Sequence, residues 1–339
     1  MPGHERTPQE SGRHATRPPV RPRVVVSACL GFEACRYDGE ILSSPLPDAL
    51  ADHVDLVHVC PEVEIGLGAP RDPIRVEVEG DRRMLVQLTT DRDLTQTMER
   101  FARAWTSGID DVDGFVLKRR SPSCGVNDAK RYRRGKGSKP VRAGRGPGLF
   151  AEAVLERFPD VPVEDEGRLA NVRLREHFLT RVFTTATFRT VRRRETMSSL
   201  VAFHAENELL FRAANQTRVR VMGRIVADAD KRPLLEVLDD YDAELRLLLA
   251  KTPRYTSHVS VAERARGYFE DGLSAREKAR FRAALESYRT GCASLSVVRA
   301  LLSSWVARFE VDALAQQTWF APFPQELVDA ADSGEGRAR

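Results

Sequence analysis

The chain has 339 residues, 42% of them hydrophobic and 30% charged, enough sequence and apolar surface for two domains with cores of their own. No apolar run approaches the ~20 residues that a membrane-spanning helix needs, which excludes a helical membrane protein. Lys and Arg number 53 against 49 Asp and Glu, a net charge of only +4, so any polyanion-binding role must rest on local concentration of charge.

Residues 1–22 are rich in Pro, Arg, His and Ser and lack an apolar stretch. They read as a disordered tail, not a secretory signal, and the protein is expected to be cytoplasmic. Thiols stay reduced in that compartment, where cysteines serve metal or redox chemistry in preference to disulfides.

From 23 to 165 strand and helix patterns alternate, which predicts an α/β domain on a mixed, mostly parallel sheet with flanking helices. Val24, Val25 and Val26 form the short apolar run of a strand buried on both faces. A loop at Gly31, a short helix near 46–51 and a second strand over 54–59 follow. Ile74, Val76 and Val78 alternate with period two, as do Met84, Val86 and Leu88, around Gly80-Asp81, a hairpin pattern. A helix over 94–105 puts Met98, Phe101, Ala102 and Trp105 on one face, and 114–117 is a further strand. The basic, glycine-rich residues 130–148 are expected to be a long surface loop. A helix over 149–157 and a short strand at Val161 and Val163 close the domain. Residues 166–195, helical from Leu169 but weakly patterned, read as a connecting arm.

Strand patterns vanish after Thr196, and 196–328 is expected to be all-α. Leu234, Leu238, Tyr241, Leu245 and Leu248 fall at helical spacing after Pro233. Ser274 and Glu277 form a capping box ahead of Phe281, Leu285 and Tyr288. Val298, Leu301, Leu302, Trp305, Val306 and Phe309 make another apolar stripe. Residues 329–339 should fray.

Cys29, Cys60 and Cys124 each lie at or just after a predicted strand end. In open α/β sheets ligands bind outside the carboxyl ends of the strands. The three thiols suit a metal cluster assembled from three loops, not a zinc ribbon of compact spacing. A [4Fe–4S] cluster with three cysteine ligands leaves one iron open to a substrate sulfur or oxygen. The alternative for each cysteine is that of a small buried hydrophobe. Zinc with His58 as fourth ligand is a rival; Cys292 reads as core, and Cys35 as packing, with a spare ligand or a resolving thiol as its alternatives. Glu62, two residues past Cys60, is a candidate base. Ser121 and Ser123 flank Pro122 and stand ready to position a water or a carbonyl.

Residues 118–145 hold eleven Lys and Arg and one acid, Asp128. With Lys118, Arg119, Arg120, Lys130, Arg131, Arg133 and Arg134, and a second cluster at Arg192, Arg193 and Arg194, the chain offers a phosphate-binding surface or, alternatively, a solvated loop.

Ser27-Ala28-Cys29-Leu30-Gly31 with Arg36-Tyr37-Asp38-Gly39, then Cys60-Pro61-Glu62-Val63-Glu64-Ile65-Gly66-Leu67-Gly68-Ala69-Pro70-Arg71, then Lys118 with Ser121-Pro122-Ser123-Cys124-Gly125, resemble the thiouracil desulfidase (TudS) family, three motifs in the family's order over about 24–162. Phe203-His204, His258-Val259-Ser260-Val261 with Gly267-Tyr268-Phe269, Tyr288-Arg289 and Pro322-Phe323-Pro324-Gln325-Glu326-Leu327 resemble the YbgA-type helical domain often fused to it. The fused form is similar to the RudS proteins, which desulfurate 4-thiouridine in tRNA. The resemblance implies a [4Fe–4S] cluster on Cys29, Cys60 and Cys124 whose open iron takes the thiocarbonyl sulfur, Glu62 activating water or shuttling protons, and Ser121 positioning the base. The first loop lacks the usual second leucine after Leu30. His204 is followed by Ala-Glu-Asn where a lysine is common, which would shift RNA contacts to Arg212, Arg218, Arg220 and Arg224. Three functions stay open: desulfuration of 4-thiouridine in tRNA, desulfidation of free thiouracil or thionucleotides, and a non-catalytic iron–sulfur RNA-binding or sensing module. No membrane and no protein partner is implied.

Overall fold

The structure, a computed structural model, describes residues 20–42, 45–135, 140–227 and 232–329. The expected tails fall almost wholly outside these residues, as do Lys136 and Lys139 of the basic segment. In chain order the strands are β1 (Arg23–Ser27), β2 (Asp55–Val59), β3 (Ile74–Glu79), β4 (Arg82–Gln87), β5 (Arg92–Asp93), β6 (Gly114–Leu117), β7 (Ala129–Arg133), β8 (Arg142–Gly146) and β9 (Val163–Asp165). The helices among and after them are α1 (Pro45–Leu50), α2 (Pro61–Glu64), α3 (Thr95–Ser107), α4 (Leu149–Arg157) and α5 (Val172–Arg194). Among the described residues only helices follow: α6 (Met197–Glu206), α7 (Glu208–Ala214), α8 (Gln216–Ala227), α9 (Leu234–Leu249), α10 (Tyr255–Gly267), α11 (Ala275–Arg289), α12 (Leu295–Phe309), α13 (Asp312–Ala315) and α14 (Glu326–Asp329).

The mixed character expected of one sheet is divided between two. The first is all-parallel in the order β2-β1-β6-β9, the second runs β5-β4-β3-β7-β8, and only its β3–β7 pair is parallel. In the first sheet the period-two alternation of a strand sorts side chains to opposite faces. Val24, Val26 and Val116 meet Leu46 and Leu50 of α1 and Phe178, Leu179, Val182 and Phe183 of α5. Val25, Phe115 and Leu117 meet Met98 and Ala102 of α3 and Phe150 and Val154 of α4. Each fully buried side chain of this kind stabilises the fold by about 1.5–3 kcal/mol.

The loop expected over 130–148 is replaced by the hairpin β7–β8. Its strands were hidden because they carry arginines where apolar alternation would announce a strand. Arg131 instead packs over Gly146, where a Cβ would collide with the guanidinium, and Arg75 lies 5.6 Å from the ring of Tyr132.

Helix α5, capped by Asn171, whose side chain accepts from the backbone N–H of Leu174 at 3.2 Å, serves both halves of the chain. Its Phe178 and Val182 lie so close to β6 that a Cβ on Gly114 would be 2.7 Å from Val182 Cγ2. Further along, Phe188 and Val191 enter the core of the helical region with Phe203, Tyr241 and Trp305. The helices there start as the sequence predicts, with Pro233 preceding α9 and a complete Ser274–Glu277 capping box on α11. Phe323 and Leu327 return to the first domain, in the same apolar cluster as Leu46, Phe178 and Cys29. Cys292, expected in the core, is exposed, because it follows Gly291 (φ +76°) in the turn after α11, off the apolar stripe.

At the amino end of the parallel sheet, Asp113 accepts from the backbone N–H of Arg23 (2.8 Å) and from Arg189 of α5 (2.6 Å). Burial pushes its carboxyl up to about 6, more than these donors pull it down. Because the folded state holds this proton more tightly than the unfolded chain, the contribution is full below about pH 4 and is lost as pH rises through about 6. Urea midpoints should therefore show Asp113→Asn gaining on the wild type between pH 4 and 7, by on the order of 2–3 kcal/mol in all.

Candidate functional site

Because β2, β1 and β6 are parallel and adjacent, with Val26 level with both His58 and Val116, their carboxyl ends open on one edge. Cys29 sits in the turn after β1, held by N–H donation from Leu30 to Ser27 O (2.9 Å) and from Glu33 to Ala28 O (2.8 Å). Cys60 follows β2 directly and caps the one-turn helix α2. Cys124 lies in the loop after β6.

That third loop is clamped by backbone bonds. Ser121 Oγ accepts from the N–H groups of Ser123 (3.1 Å) and Cys124 (2.9 Å). The carbonyls of Pro122 and Ser123 accept from Leu149 (3.2 Å), Phe150 and Ala151 (both 3.0 Å), the N–H groups that a helix start leaves without partners. Such an approach needs Gly148, where a Cβ would stand 2.5 Å from Ser123 O.

The three loops meet at buried thiols. Cys29, Cys60 and Cys124 are 8%, 9% and 3% exposed, and Cys35 is 4%. Cys60 Sγ donates to Cys35 O (3.5 Å) and Glu62 Oε2 (3.6 Å), while Ser121 Oγ donates to Glu62 Oε1 (3.3 Å). Glu62, Ser121, Cys60 and Cys124 are thus brought together, and Cys35 joins them through its carbonyl, which accepts from Cys60 Sγ and from Arg71. Reading Cys35 as packing captures its burial but not these contacts. His58 stacks on Phe32 at 4.0 Å between centroids, and no contact ties its ring to a thiol among the described residues.

Three of these thiols are pushed upward. The hydrogen bond to Cys29, with burial, lifts Cys35 to about 12. The bond to Cys35 and then burial raise Cys60, and burial followed by the Glu62 carboxylate raises Cys124 against the pull of the Ser27 and Ser121 hydroxyls. A metal reverses this, because a coordinating thiol is deprotonated outright and binding releases the protons. Among the described residues no three His, Cys, Asp or Glu side chains are gathered for a single metal ion. The donor chemistry, buried soft thiols delivered by three braced loops, fits an iron–sulfur group.

Arg71 closes the second motif, and the sequence assigns it no task. It lies in the site, with Nη1 donating to Cys35 O (2.7 Å) and Gly68 O (2.8 Å) and Nη2 3.8 Å from Glu62 Oε2. Only its position, nine residues past Glu62 at the end of the motif, hinted at this.

The basic residues divide into engaged and open ones. Lys118 pairs with Glu166, Arg119 lies over Gly167, and Arg134 reaches Glu77 (3.1 Å) and Asp91 (2.9 Å). Lys130 and Arg131 are half-buried on β7, whereas Arg120, Arg133, Arg142 and Arg145 are exposed and make no ion pair with a described residue. Arg192 pairs with Asp239 and Arg193 with Asp111, just before β6, so the 192–194 cluster, with exposed Arg194, lies at the end of the sheet opposite the cysteines. In the helical region Arg212 pairs with Glu208 (2.7 Å) and Arg218 with Glu244 (2.8 Å), and Arg220 and Arg224 are exposed. His204 is bonded to the buried Tyr241 hydroxyl at 2.9 Å.

Comparison with known proteins adds relatives to this geometry. Residues 24–166 match the family model for 2-thiouracil desulfurase, and residues 208–324 match that of a protein family of unknown function, DUF1722. The chain is 31% identical over 112 residues to the uncharacterized protein YbbK of Bacillus subtilis (strain 168), covering 30% of this chain and 72% of YbbK. It is also similar to a solved [4Fe-4S]-dependent thiouracil desulfidase, TudS, at 29% identity over 44% of this chain and 93% of that one, with a TM-score of 0.34.

Proposed function

The chain belongs, through residues 24–166, to the 2-thiouracil desulfurase family, and on that premise we propose that it is a [4Fe–4S]-dependent desulfidase that converts 4-thiouridine in tRNA to uridine. The net reaction exchanges a thiocarbonyl for a carbonyl, with water in and hydrogen sulfide out, and no electron is transferred. Cys29, Cys60 and Cys124 would hold the cluster. When bound, the cluster supplies a Lewis-acidic iron for the thiocarbonyl sulfur. Glu62 is suited to take a proton from the attacking water, because the Ser121 hydroxyl and Arg71 fix both its oxygens beside the thiols. Ser121 is itself oriented by two backbone N–H groups, so its proton points at Glu62 and not at the loop.

One observation carries the RNA part of the reading. The β7–β8 hairpin that presents Arg133, Arg142 and Arg145 begins four residues after Gly125 and ends two before Gly148, and Gly148 donates to Gly125 O at 2.8 Å. A polyanion held on the hairpin is thereby held beside Cys124. A base stacked in structured RNA must still be exposed to reach the thiols.

Anaerobic reconstitution, then incubation with thiolated tRNA and with free 4-thiouridine nucleotides, tests the proposal through the near-UV thiouridine band. Loss of the band from tRNA supports it. Loss from nucleotides only would sink the tRNA substrate, and retention of RNA without any loss would mean a binding module. Replacing Arg133, Arg142 and Arg145 together by Glu should raise the KM for tRNA at least tenfold and flatten its salt dependence by about two to three units of log–log slope, with nucleotide turnover little changed.

A further inference from the structure

Arg71 joins all three loops. Its backbone N–H donates to Tyr37 O (2.8 Å) and its Nη1 to Cys35 O (2.7 Å), both from the first loop, while Gly68 O (2.8 Å) and Glu62 belong to the second. Through Glu62 Oε1 the contact extends to Ser121 of the third. The Arg71 side chain is 6% exposed and that of Glu62 8%, and the Arg71 Nε is buried with no partner among the described residues. A guanidinium so deeply placed is costly unless its charge is answered. Once the thiols are deprotonated by metal, the site adds three thiolates to the Glu62 carboxylate. Of the cations on the neighbouring loops, Lys118 is engaged by Glu166 and Arg36 by Asp38 at 2.6 Å, while Arg120 is exposed to solvent.

We infer that Arg71 is a positioning residue for desulfidation: it aims the Glu62 carboxylate at the reacting atoms and supplies the positive charge that the loaded site requires. The inference rests on the proposed desulfidase reading with Glu62 as base. Lysine can reproduce the charge but not the planar fork that spans two carbonyls and a carboxylate.

The test compares wild type, Arg71→Met and Arg71→Lys after anaerobic reconstitution, by iron and sulfide per chain, cluster reduction potential, and kcat and KM on a free 4-thiouridine nucleotide. Arg71→Met should keep its iron, show a more negative potential because a buried cation no longer favours the added electron, and lose roughly 10–100-fold in kcat with little change in KM. Arg71→Lys should restore the potential and only part of kcat. Wild-type kcat with an unshifted potential in Arg71→Met overturns the inference, and so does a kcat loss that merely tracks lost iron. Should Arg71→Met lose its iron, Arg71→Lys decides: loaded with wild-type kcat, it overturns the positioning role, and loaded with reduced kcat at the wild-type potential, it upholds it. A loaded but inactive wild type would refute the desulfidase reading, while the potential of Arg71→Met would still report on the charge.

Discussion

Cys124→Ala is expected to fold, to stay colourless after anaerobic iron–sulfur reconstitution, and to turn over no thiolated substrate. The loop that carries Cys124 is shaped by main-chain bonds to α4 and to Ser121 Oγ, none of which needs the thiol. Removing one buried sulfur therefore costs stability on the order of 1 kcal/mol, within what a domain of this size tolerates. On the proposed three-cysteine ligand set, metal retention should suffer far more, because each ligand sulfur must be present and deprotonated to hold the cluster. Visible absorbance and iron content read the outcome directly. A brown, active Cys124→Ala protein would remove Cys124 from the ligand set. The exposed Cys292 is the control, and its replacement by Ala should leave both chromophore and turnover unchanged.

Glu62→Gln should separate binding from chemistry. Glutamine keeps the size of the side chain and its hydrogen bond with Ser121 but cannot accept a proton at neutral pH. Iron content should stay at the wild-type level while kcat falls by roughly 10²–10⁴, the usual worth of a positioned general base. A Glu62→Gln enzyme with full kcat would move the base elsewhere in the site.

The parallel sheet was legible because Val24–Val26 and the strand at 114–117 are apolar without a break, as strands covered on both faces must be. Helix starts were legible where side-chain chemistry marks them, at Pro233 and Ser274. The β7–β8 hairpin was not, since Lys130, Arg131 and Arg133 mimic the composition of a solvated loop and strand pairing was supplied by β3. The cysteines and Glu62 stood out by their places at strand ends. The contacts of Arg71 and Cys35 depend on three loops folding over one another, which spacing along the chain does not encode. Charge was the weakest guide: Arg192 and Arg193 look like Arg133 in sequence, yet nearby aspartates claim them.

The return of Phe323 and Leu327 to the cluster that holds Leu46 and Cys29 has a thermodynamic consequence. With α5 buried in both cores, the chain is fastened across its halves by two segments far apart in sequence that pack in one cluster, so unfolding either half exposes apolar surface of the other. The halves then melt as one cooperative unit, and any ligand that binds only the folded cysteine loops raises the melting temperature of the helices as well, by linkage alone.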